Sequence, residues 1–301
     1  MIILLFLAFA LSNSSSPLLL KKTSEIASVF QQKCVQILPT ESVNRATLSS
    51  LLCGENITDK SLKENLIKTS LIHIFVISGS HLILLDELLS ILKIPVFVRF
   101  AFLSLYSLCV GWQPPAVRAL IALGTRIGFR KLHYHFPADL VVLISGLITL
   151  FLFPEWWNSV SLLMSWCASL ALCWVSVLNI RNKISAVLVA QLAIFLFMSA
   201  PLWGIGNLHP LSIVFNLILA PLVSYLLLPL AFVVSVIHPL LPVFDFAMNA
   251  FQAILKDFAE PVTRGQALAP SISLLWTWIF AWQTFFHFLR LRLYQGRDHA
   301  R

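Results

Sequence analysis

Apolar residues in this 301-residue chain are gathered into long runs that short polar turns separate. Eight such runs after residue 70 cover 71–92, 96–112, 115–129, 138–153, 157–178, 184–203, 210–237 and 270–289. A helix of roughly 20 apolar residues spans the hydrocarbon core of a membrane. The pattern therefore predicts an all-α, polytopic bundle of about eight or nine transmembrane helices.

Three segments depart from a plain transmembrane helix. Residues 115–129 are short, and residues 210–237 are long and contain Pro221 and Pro229. Both predict broken or re-entrant helices, which membranes tolerate where the freed backbone is buried or lines a cavity. Residues 244–260 mix charged and amide side chains with apolar ones. They indicate either an interfacial helix or a span that faces a wet interior.

An extended polar region covers residues 12–70. Its apolar spacing predicts three helices, over residues 24–38, over residues 41–52 and from about residue 58. The first is amphipathic and is expected to lie at the membrane surface. Gly54 would end the second helix, and Asp59 or Ser61 would cap the third.

The predicted organisation has four parts. Residues 1–11 form an apolar run that is short for a span and is followed by a serine-rich stretch. No basic residue precedes the run, so it is interpreted as either a signal sequence or a short anchor. Residues 12–70 form an external amphipathic region, residues 71–289 form the transmembrane domain, and residues 290–301 form a basic tail.

Composition supports a membrane protein and excludes a large soluble domain. The chain is 58% hydrophobic and 11% charged, whereas soluble domains carry roughly 25% charged residues. The formal net charge is +8. Part of such an excess sets the orientation of a membrane protein, although it would also suit an anionic substrate.

The positions of the basic residues predict which turns face the cytoplasm. The cytoplasmic side would hold the turns at 93–99, 126–131 and 181–183 and the C-terminal tail. The outer side would hold residues 12–70 and the turns at 113–115, 154–157 and 203–209. This topology needs residues 244–260 to cross the membrane, because the C-terminus would be outside if that segment lay flat.

Five cysteines are present. Cys34 and Cys53 lie in the polar N-terminal region and could form a disulfide if that region is outside the cytoplasm. Cys109, Cys167 and Cys173 lie in apolar runs, which is typical of small buried residues. No CxxC pair or His/Cys cluster predicts a metal site.

Residues 73–81, HIFVISGSH, place two histidines, two serines and a glycine inside an otherwise apolar run. Polar groups in lipid are costly and usually mark a pathway or a site. On a helix, His73 and His81 would share one face, with Ser78 and Gly79 beside it. Ser78 with a histidine could also form a serine–base pair. An intramembrane serine hydrolase is the least favoured function, because the chain lacks a Gly-x-Ser-x-Gly elbow. The sequence predicts no catalytic residue and no cofactor.

Arg118 is the second unusual residue, about one turn into the segment that follows two prolines. It either snorkels to the interface or faces an anion, which could be a substrate or the carboxylate of Asp86 or Glu87.

A further polar set lies in the later spans. Gln191, Asn216 and Pro221 could bond across helices or line a pore.

The run LIHIFVISGSHLILL resembles the HLLAxSGLHxxLL signature of the ComEC family, whose members form the inner-membrane channel for DNA uptake in natural transformation. RATLSSLLCGENIT, the stretch Gly111–Ala119, and the series Gln191, Pro201, Asn216, Pro221 are similar to further family elements and occur in the family order. Val76 and Ser80 depart from the signature, which has a small and an apolar residue there.

The resemblance implies a competence-type membrane domain that passes single-stranded DNA into the cytoplasm. Its residues along the DNA path are expected to be His73, Ser78, Gly79, Ser80, His81, Arg118, Gln191, Asn216 and Pro221. Such a path needs cations and close backbone approach, and binding should depend on salt. The alternatives are a transporter of another anionic solute or a non-transporting scaffold paralogue.

The implied partners are single-stranded DNA and the lipid bilayer, with a homo-oligomer as an open alternative. Larger ComEC-family members also carry an OB-type domain and a metal-dependent nuclease domain. We expect separate proteins to supply the DNA receptor, the nuclease, and a cytoplasmic motor or single-strand-binding protein.

Overall fold

The computed structural model describes residues 18–72, 79–134, 136–203, 209–262 and 270–298, and within these ranges the chain is helical without a strand. This confirms the all-α prediction. The helices are α1 Leu18–Ile37, α2 Arg45–Cys53, α3 Lys60–Lys68, α4 Gly79–Ile91, α5 Val96–Cys109, α6 Pro114–Lys131, α7 Ala138–Leu152, α8 Val160–Leu178, α9 Lys183–Trp203, α10 Leu211–Pro221, α11 Leu228–Val236, α12 Leu241–Ala259 and α13 Ile272–Asp298.

Four helices within the described ranges are long and apolar enough to cross a membrane. They are Val160–Leu178, Lys183–Trp203, Leu211–Val236 and Ile272–Arg292. The apolar helices α5 and α7 are shorter, with 14 and 15 residues. The number of eight or nine spans therefore stays a prediction.

The ends of the N-terminal helices follow the sequence signals. Gly54 follows α2 in the left-handed region, with a φ of 68° that costs glycine little. The Asp59 side chain accepts hydrogen bonds from the backbone N–H of Ser61 and Leu62, at 2.8 and 3.1 Å, and caps α3. The predicted helix end and the predicted cap are confirmed.

The proline-containing segments continue as helices. From Leu211 to Val236 the chain is one helix, and the interruption predicted there takes the form of a π-helical segment, Leu222–Leu227, directly after Pro221. A wider turn accommodates the missing N–H and the ring of a proline. Helix α6 is unbroken, because Pro114 and Pro115 occupy its first turn, where absent N–H groups cost little.

The N-terminal region is packed onto the rest of the protein. Leucines of α2 and α3 share one buried cluster with α10–α12, including Leu48, Leu66, Phe244 and Met248. The helix Leu211–Val236 and α12 form an antiparallel hairpin. The rings of Phe215 and Phe258 stack with centroids 5.2 Å apart near its open end, and a short 3-10 turn, His238–Leu240, closes the other end.

Helix α12 begins against the N-terminal region. Asp245 accepts a hydrogen bond from the Ser42 hydroxyl at 2.7 Å, and Asn44 Nδ2 donates to Asn249 Oδ1 at 3.0 Å. These polar residues of the 244–260 segment therefore contact protein.

The two ends of helix α13 lie beside turns that the sequence places on opposite sides of the membrane. The Trp276 indole donates to Trp157 O at 2.9 Å, and Arg290 forms an ion pair with Asp139, with a 3.3 Å separation. Asp139 follows the basic 126–131 turn, so the end of α13 at Arg290 lies on the side of that turn. This placement matches the side predicted for the tail.

Candidate functional site

Arg118 lies near the start of α6, is 3% exposed, and is held by α8. Its Nε donates to the Ser165 hydroxyl at 3.1 Å, and its Nη2 donates to the Ser165 carbonyl oxygen at 2.9 Å. Nη2 also donates to the hydroxyl of Ser169, one turn further along α8. Three bonds from one neighbouring helix fix the plane of the guanidinium.

The remaining nitrogen of this guanidinium, Nη1, is buried and has no hydrogen-bond partner in the described part of the chain. Within the described ranges Arg118 forms no ion pair, and Asp86 lies 3.4 Å from Arg99 instead. The snorkelling alternative and the Asp86 alternative for Arg118 are therefore wrong in this structure. A buried cation with two unsatisfied N–H bonds is costly, because it has lost water without gaining an acceptor.

Gly79 brings α4 against this arginine site. A Cβ atom at Gly79 would lie 3.1 Å from the Cβ of Ala119, 3.2 Å from the Pro115 carbonyl oxygen and 3.5 Å from the Ser165 hydroxyl. Two of these separations are shorter than ordinary contacts, so a larger residue at this position would push α4 a few tenths of an ångström away from α6. The structure thus brings Gly79, Arg118 and Ser165 together.

The rest of the predicted polar stripe is described only in part. His81, two residues beyond Gly79, is completely buried. His73 and Ser78 lie outside the described residues, and so does the side chain of Ser80 on α4.

The second predicted polar set is not joined to the arginine site. Gln191 lies on α9, and Asn216 and Pro221 lie on α10. No hydrogen bond found within the described ranges links any of these three to Arg118. Asn216 is buried in the α10–α12 hairpin, and its Oδ1 has no hydrogen-bond partner among the described residues.

Sequence reasoning missed Ser165 and Ser169. They stand four residues apart in an apolar run, so one face of α8 carries both hydroxyls. That spacing was the available signal, but serines in such runs usually bond their own helix, as Ser169 also does with the Ser165 carbonyl oxygen at 2.9 Å.

A second charged cluster, which the sequence reasoning also missed, surrounds Asp139 at the start of α7. Asp139 is 1% exposed, and its two oxygens lie 3.3 Å from Arg290 Nε and 3.3 Å from His287 Nδ1. The Gln283 side chain donates to the Asp139 carbonyl oxygen at 3.1 Å and accepts a hydrogen bond from the Trp166 indole N–H at 3.4 Å. The cluster ties α13 to α7 and α8.

Helix α1 contacts the turn that precedes α6, the helix that carries Arg118. Cys34 and Cys53, the pair singled out in the sequence, form a disulfide with a Cα separation of 5.8 Å. Gln31 donates to the Cys53 carbonyl oxygen at 2.9 Å. Its amide lies over Gly111, where a Cβ atom would be 3.0 Å from Gln31 Nε2 and where φ is 78°.

Within the described ranges, no group of three or more His, Cys, Asp or Glu side chains could hold a metal ion.

A family model described as "Competence protein" matches residues 51–294. The chain belongs to the competence protein family. The matched range begins inside α2 and ends inside α13, so it contains the arginine site and the Asp139 cluster. The resemblance to ComEC-type competence proteins is thereby confirmed, and the chain is a competence-family protein with several apolar helices of membrane type.

A relative of this competence protein is the "Uncharacterized protein MG316" of Mycoplasma genitalium, which is 27% identical over 209 residues. The alignment covers 67% of this chain and 54% of the relative, so the chain spans about half the length of that protein. No solved structure matches.

Proposed function

We propose that this competence-family protein is a channel, rather than an enzyme, that passes single-stranded DNA across the inner membrane into the cytoplasm during natural transformation. The observation that supports this most is Arg118: Nε and Nη2 of its buried guanidinium form three bonds to α8, and its third nitrogen, Nη1, has no acceptor among the described residues. Membership of the competence family supplies the context of DNA uptake.

The chemistry of a nucleic acid strand fits this arginine. Each phosphodiester carries one negative charge, and its free oxygens accept hydrogen bonds from guanidinium N–H groups. A central arginine costs on the order of 2.5–3.5 kcal/mol on insertion scales, and a passing phosphate would offset part of that cost. The missing side chain at Gly79 leaves backbone, rather than a bulky group, beside the Ser165 hydroxyl that accepts from the guanidinium.

A strand that moves must bind weakly at each position. Because only one nitrogen is unsatisfied, the arginine contacts each phosphate through that nitrogen alone. At tight anion sites, guanidinium groups instead form bidentate hydrogen bonds through two nitrogens. Single-stranded DNA would then be the transported partner. Separate proteins would supply the receptor, the nuclease, and a motor or single-strand-binding protein, and assembly into a homo-oligomer is part of the proposal.

The test compares Arg118→Gln with Arg126→Gln in cells that take up labelled DNA. Arg126 is an exposed arginine on the same helix, so it matches the charge change outside the site. We expect Arg118→Gln to lower uptake by about tenfold or more, which corresponds to the loss of about 1.4 kcal/mol. Surface binding of DNA and the amount of protein should stay normal. Arg126→Gln should behave as wild type, and normal uptake by Arg118→Gln would contradict the proposal.

The same unsatisfied nitrogen also favours a second candidate function, the transport of another anionic solute. Purified protein in liposomes distinguishes the two functions. Uptake of a small anion that depends on Arg118, together with normal transformation in Arg118→Gln cells, would favour the solute transporter over the DNA channel.

A further inference from the structure

We propose that α1 is a movable strap across the outer approach to the arginine site, and that it swings about the disulfide between Cys34 and Cys53. The structure shows the strap closed. The proposal rests on the DNA channel proposed above, because it assigns to α1 the control of entry to that same site.

The two ends of α1 pack against different halves of the bundle. Leu20 packs against the buried cluster of α6–α9 and α13, which contains Val117, the neighbour of Arg118. Cys34 and Val35, near the other end of α1, pack against the buried cluster of α2, α3 and α10–α12. A helix that joins two clusters in this way crosses the space between them.

Between its ends, α1 holds the turn that leads into α6. The Gln31 side chain donates to the Cys53 carbonyl oxygen at 2.9 Å, and the same amide lies against Gly111. Ala27, one turn earlier, is completely buried, so the backbone of α1 comes close to α5. The strap therefore lies over the start of the helix that carries Arg118. A strand that approaches this arginine from the outer side meets α1 first.

The strap is held mainly at its hinge end. Ala27 is the one buried residue between Leu20 and Ile37, and the large side chains of Ile26 and Val29 are each 51% exposed. A helix that buries so little surface opens at a low free energy, as lids over sites do. The covalent bond at the hinge stays intact when the rest of α1 lifts, so the disulfide fixes where the movement begins.

The turn beneath the strap is in an unfavourable arrangement. Gly111 and Trp112 follow one another with φ values of 78° and 54°. Glycine adopts this left-handed region freely, whereas it is disfavoured for a bulky residue such as tryptophan. The indole N–H of Trp112 is also buried and has no hydrogen-bond partner in the described part of the chain. Such costs persist only where the surroundings impose them, so lifting α1 would let the turn relax.

A strand can open the strap only if it binds the open arrangement more tightly than the closed one. Arg118 supplies this difference, because its unpaired nitrogen Nη1 is buried while the strap is closed. A phosphate reaches that nitrogen only after α1 has lifted. Three exposed lysines on the strap, Lys21, Lys22 and Lys33, attract the strand to it beforehand.

Distances between two spin labels, measured by double electron–electron resonance on the full chain in liposomes, test the proposal. Labels at Lys22→Cys and Glu155→Cys relate the free half of α1 to the turn between α7 and α8. In the matched pair, Glu41→Cys with Glu155→Cys, the first label lies just beyond the hinge. The three free cysteines are replaced by alanine, and the disulfide between Cys34 and Cys53 is kept.

Two substitutions release the strap in separate ways. Gln31→Ala removes the hydrogen bond to Cys53, and Ala27→Leu places a larger side chain in a packed position. We expect each to raise the ratio of long to short Lys22–Glu155 distances by about threefold or more, as the loss of one hydrogen bond predicts. Gln32→Ala, at an exposed neighbouring position of α1, is the control and should leave the ratio unchanged.

Single-stranded oligodeoxythymidylate is the probe for opening by a strand. It should raise the same ratio when the strap sequence is unmutated, and it should fail to do so when Arg118→Gln is added. The distances from Glu41 to Glu155 should stay constant under all of these conditions.

One narrow Lys22–Glu155 distance that neither the two substitutions nor the oligonucleotide changes would overturn the proposal, because α1 would then be a fixed part of the fold. An equal shift of the Glu41 label would also overturn it, because the whole N-terminal region would then move and the disulfide would not be a hinge. Opening in Gln31→Ala and Ala27→Leu without a response to the oligonucleotide would support the strap and count against the DNA channel.

Discussion

The arginine site and the Asp139 cluster are two buried charges in one helical bundle, and they differ in their partners. Asp139 lies between Arg290 and His287, so its charge is balanced within the protein. Arg118 has only neutral serine partners, and one of its nitrogens has no partner in the described chain. A balanced charge joins helices, whereas an unbalanced one is costly to keep and is therefore expected where an anion must bind.

The largest expected effect comes from removing the balanced charge. Asp139→Ala leaves Arg290 buried without its carboxylate, and breaking a buried pair in this way costs about 3–5 kcal/mol. We expect a large fall in the unfolding midpoint of the purified protein in detergent. The double variant Asp139→Ala/Arg290→Met should recover much of the loss. A single variant as stable as wild type would remove the structural role assigned to the cluster.

An added methyl group should destabilise the protein more beside the Asp139 cluster than beside the arginine site. A Cβ at Gly146 would lie 2.3 Å from the Trp166 ring, next to the Asp139 cluster, whereas a Cβ at Gly79 would lie 3.1 Å from its nearest neighbour. Overpacking of this kind costs about 1–3 kcal/mol. Gly146→Ala should therefore destabilise the protein more than Gly79→Ala in thermal unfolding.

Gly128→Ala is the control for both glycine variants, since nothing lies within 4 Å of that position. It should leave the midpoint unchanged or raise it slightly, because alanine favours the helix. Equal midpoints for the Gly146 and Gly128 variants would contradict the close packing of Gly146 on Trp166.

A smaller effect is expected from the two serines that hold the arginine. Ser165→Ala and Ser169→Ala each remove a hydroxyl that accepts a hydrogen bond from the guanidinium. A hydrogen bond to a charged group contributes at most about 1.5–3 kcal/mol. Because the Ser165 carbonyl oxygen remains, we expect each to lower DNA uptake less than Arg118→Gln does. Ser161→Ala, an exposed serine on the same helix, serves as the matched control. If both serine variants took up DNA at the wild-type rate, the two serine hydroxyls would not be needed for the function of Arg118.

The smallest effect on stability is expected at Arg118 itself. Arg118→Met removes an unbalanced charge and fills similar volume, so the midpoint should stay the same or rise, although uptake should fall. Thermal unfolding of this variant beside Asp139→Ala gives the direct contrast between the two charges. A loss of stability as large as that of Asp139→Ala would make Arg118 a structural residue.

Local signals in the sequence predicted local structure well. Gly54 and Asp59 act through their own backbone and nearest neighbours, so a helix end and a cap could be assigned from residue type alone. Pro221 was harder, since a proline in a long apolar helix can break it or widen it, and the neighbouring helices decide which.

Apart from the Cys34–Cys53 disulfide, contacts between residues that are distant along the chain could not be predicted from the sequence. Asp139 is one acidic residue at the start of an apolar run, and its partners, Arg290 and His287, lie far along the chain on α13. The polar residues of α12 suggested either an interfacial helix or a span that faces a wet interior, and the sequence did not show that Asp245 and Asn249 bond to residues 42–44. For Arg118, the residue type and its position indicated a site, while the serines that orient it required the packing of α6 on α8.

The separation of Asp139 and His287 along the chain also has a consequence for biosynthesis. The two residues are 148 positions apart, and α13 is inserted after every other helix described. At a synthesis rate of about 5–20 residues per second, Asp139 emerges roughly 7–30 s before His287 and Arg290. During that interval the carboxylate lacks the partners that it has in the folded protein. Arrival of α13 is therefore the step that completes the ion pairing of Asp139.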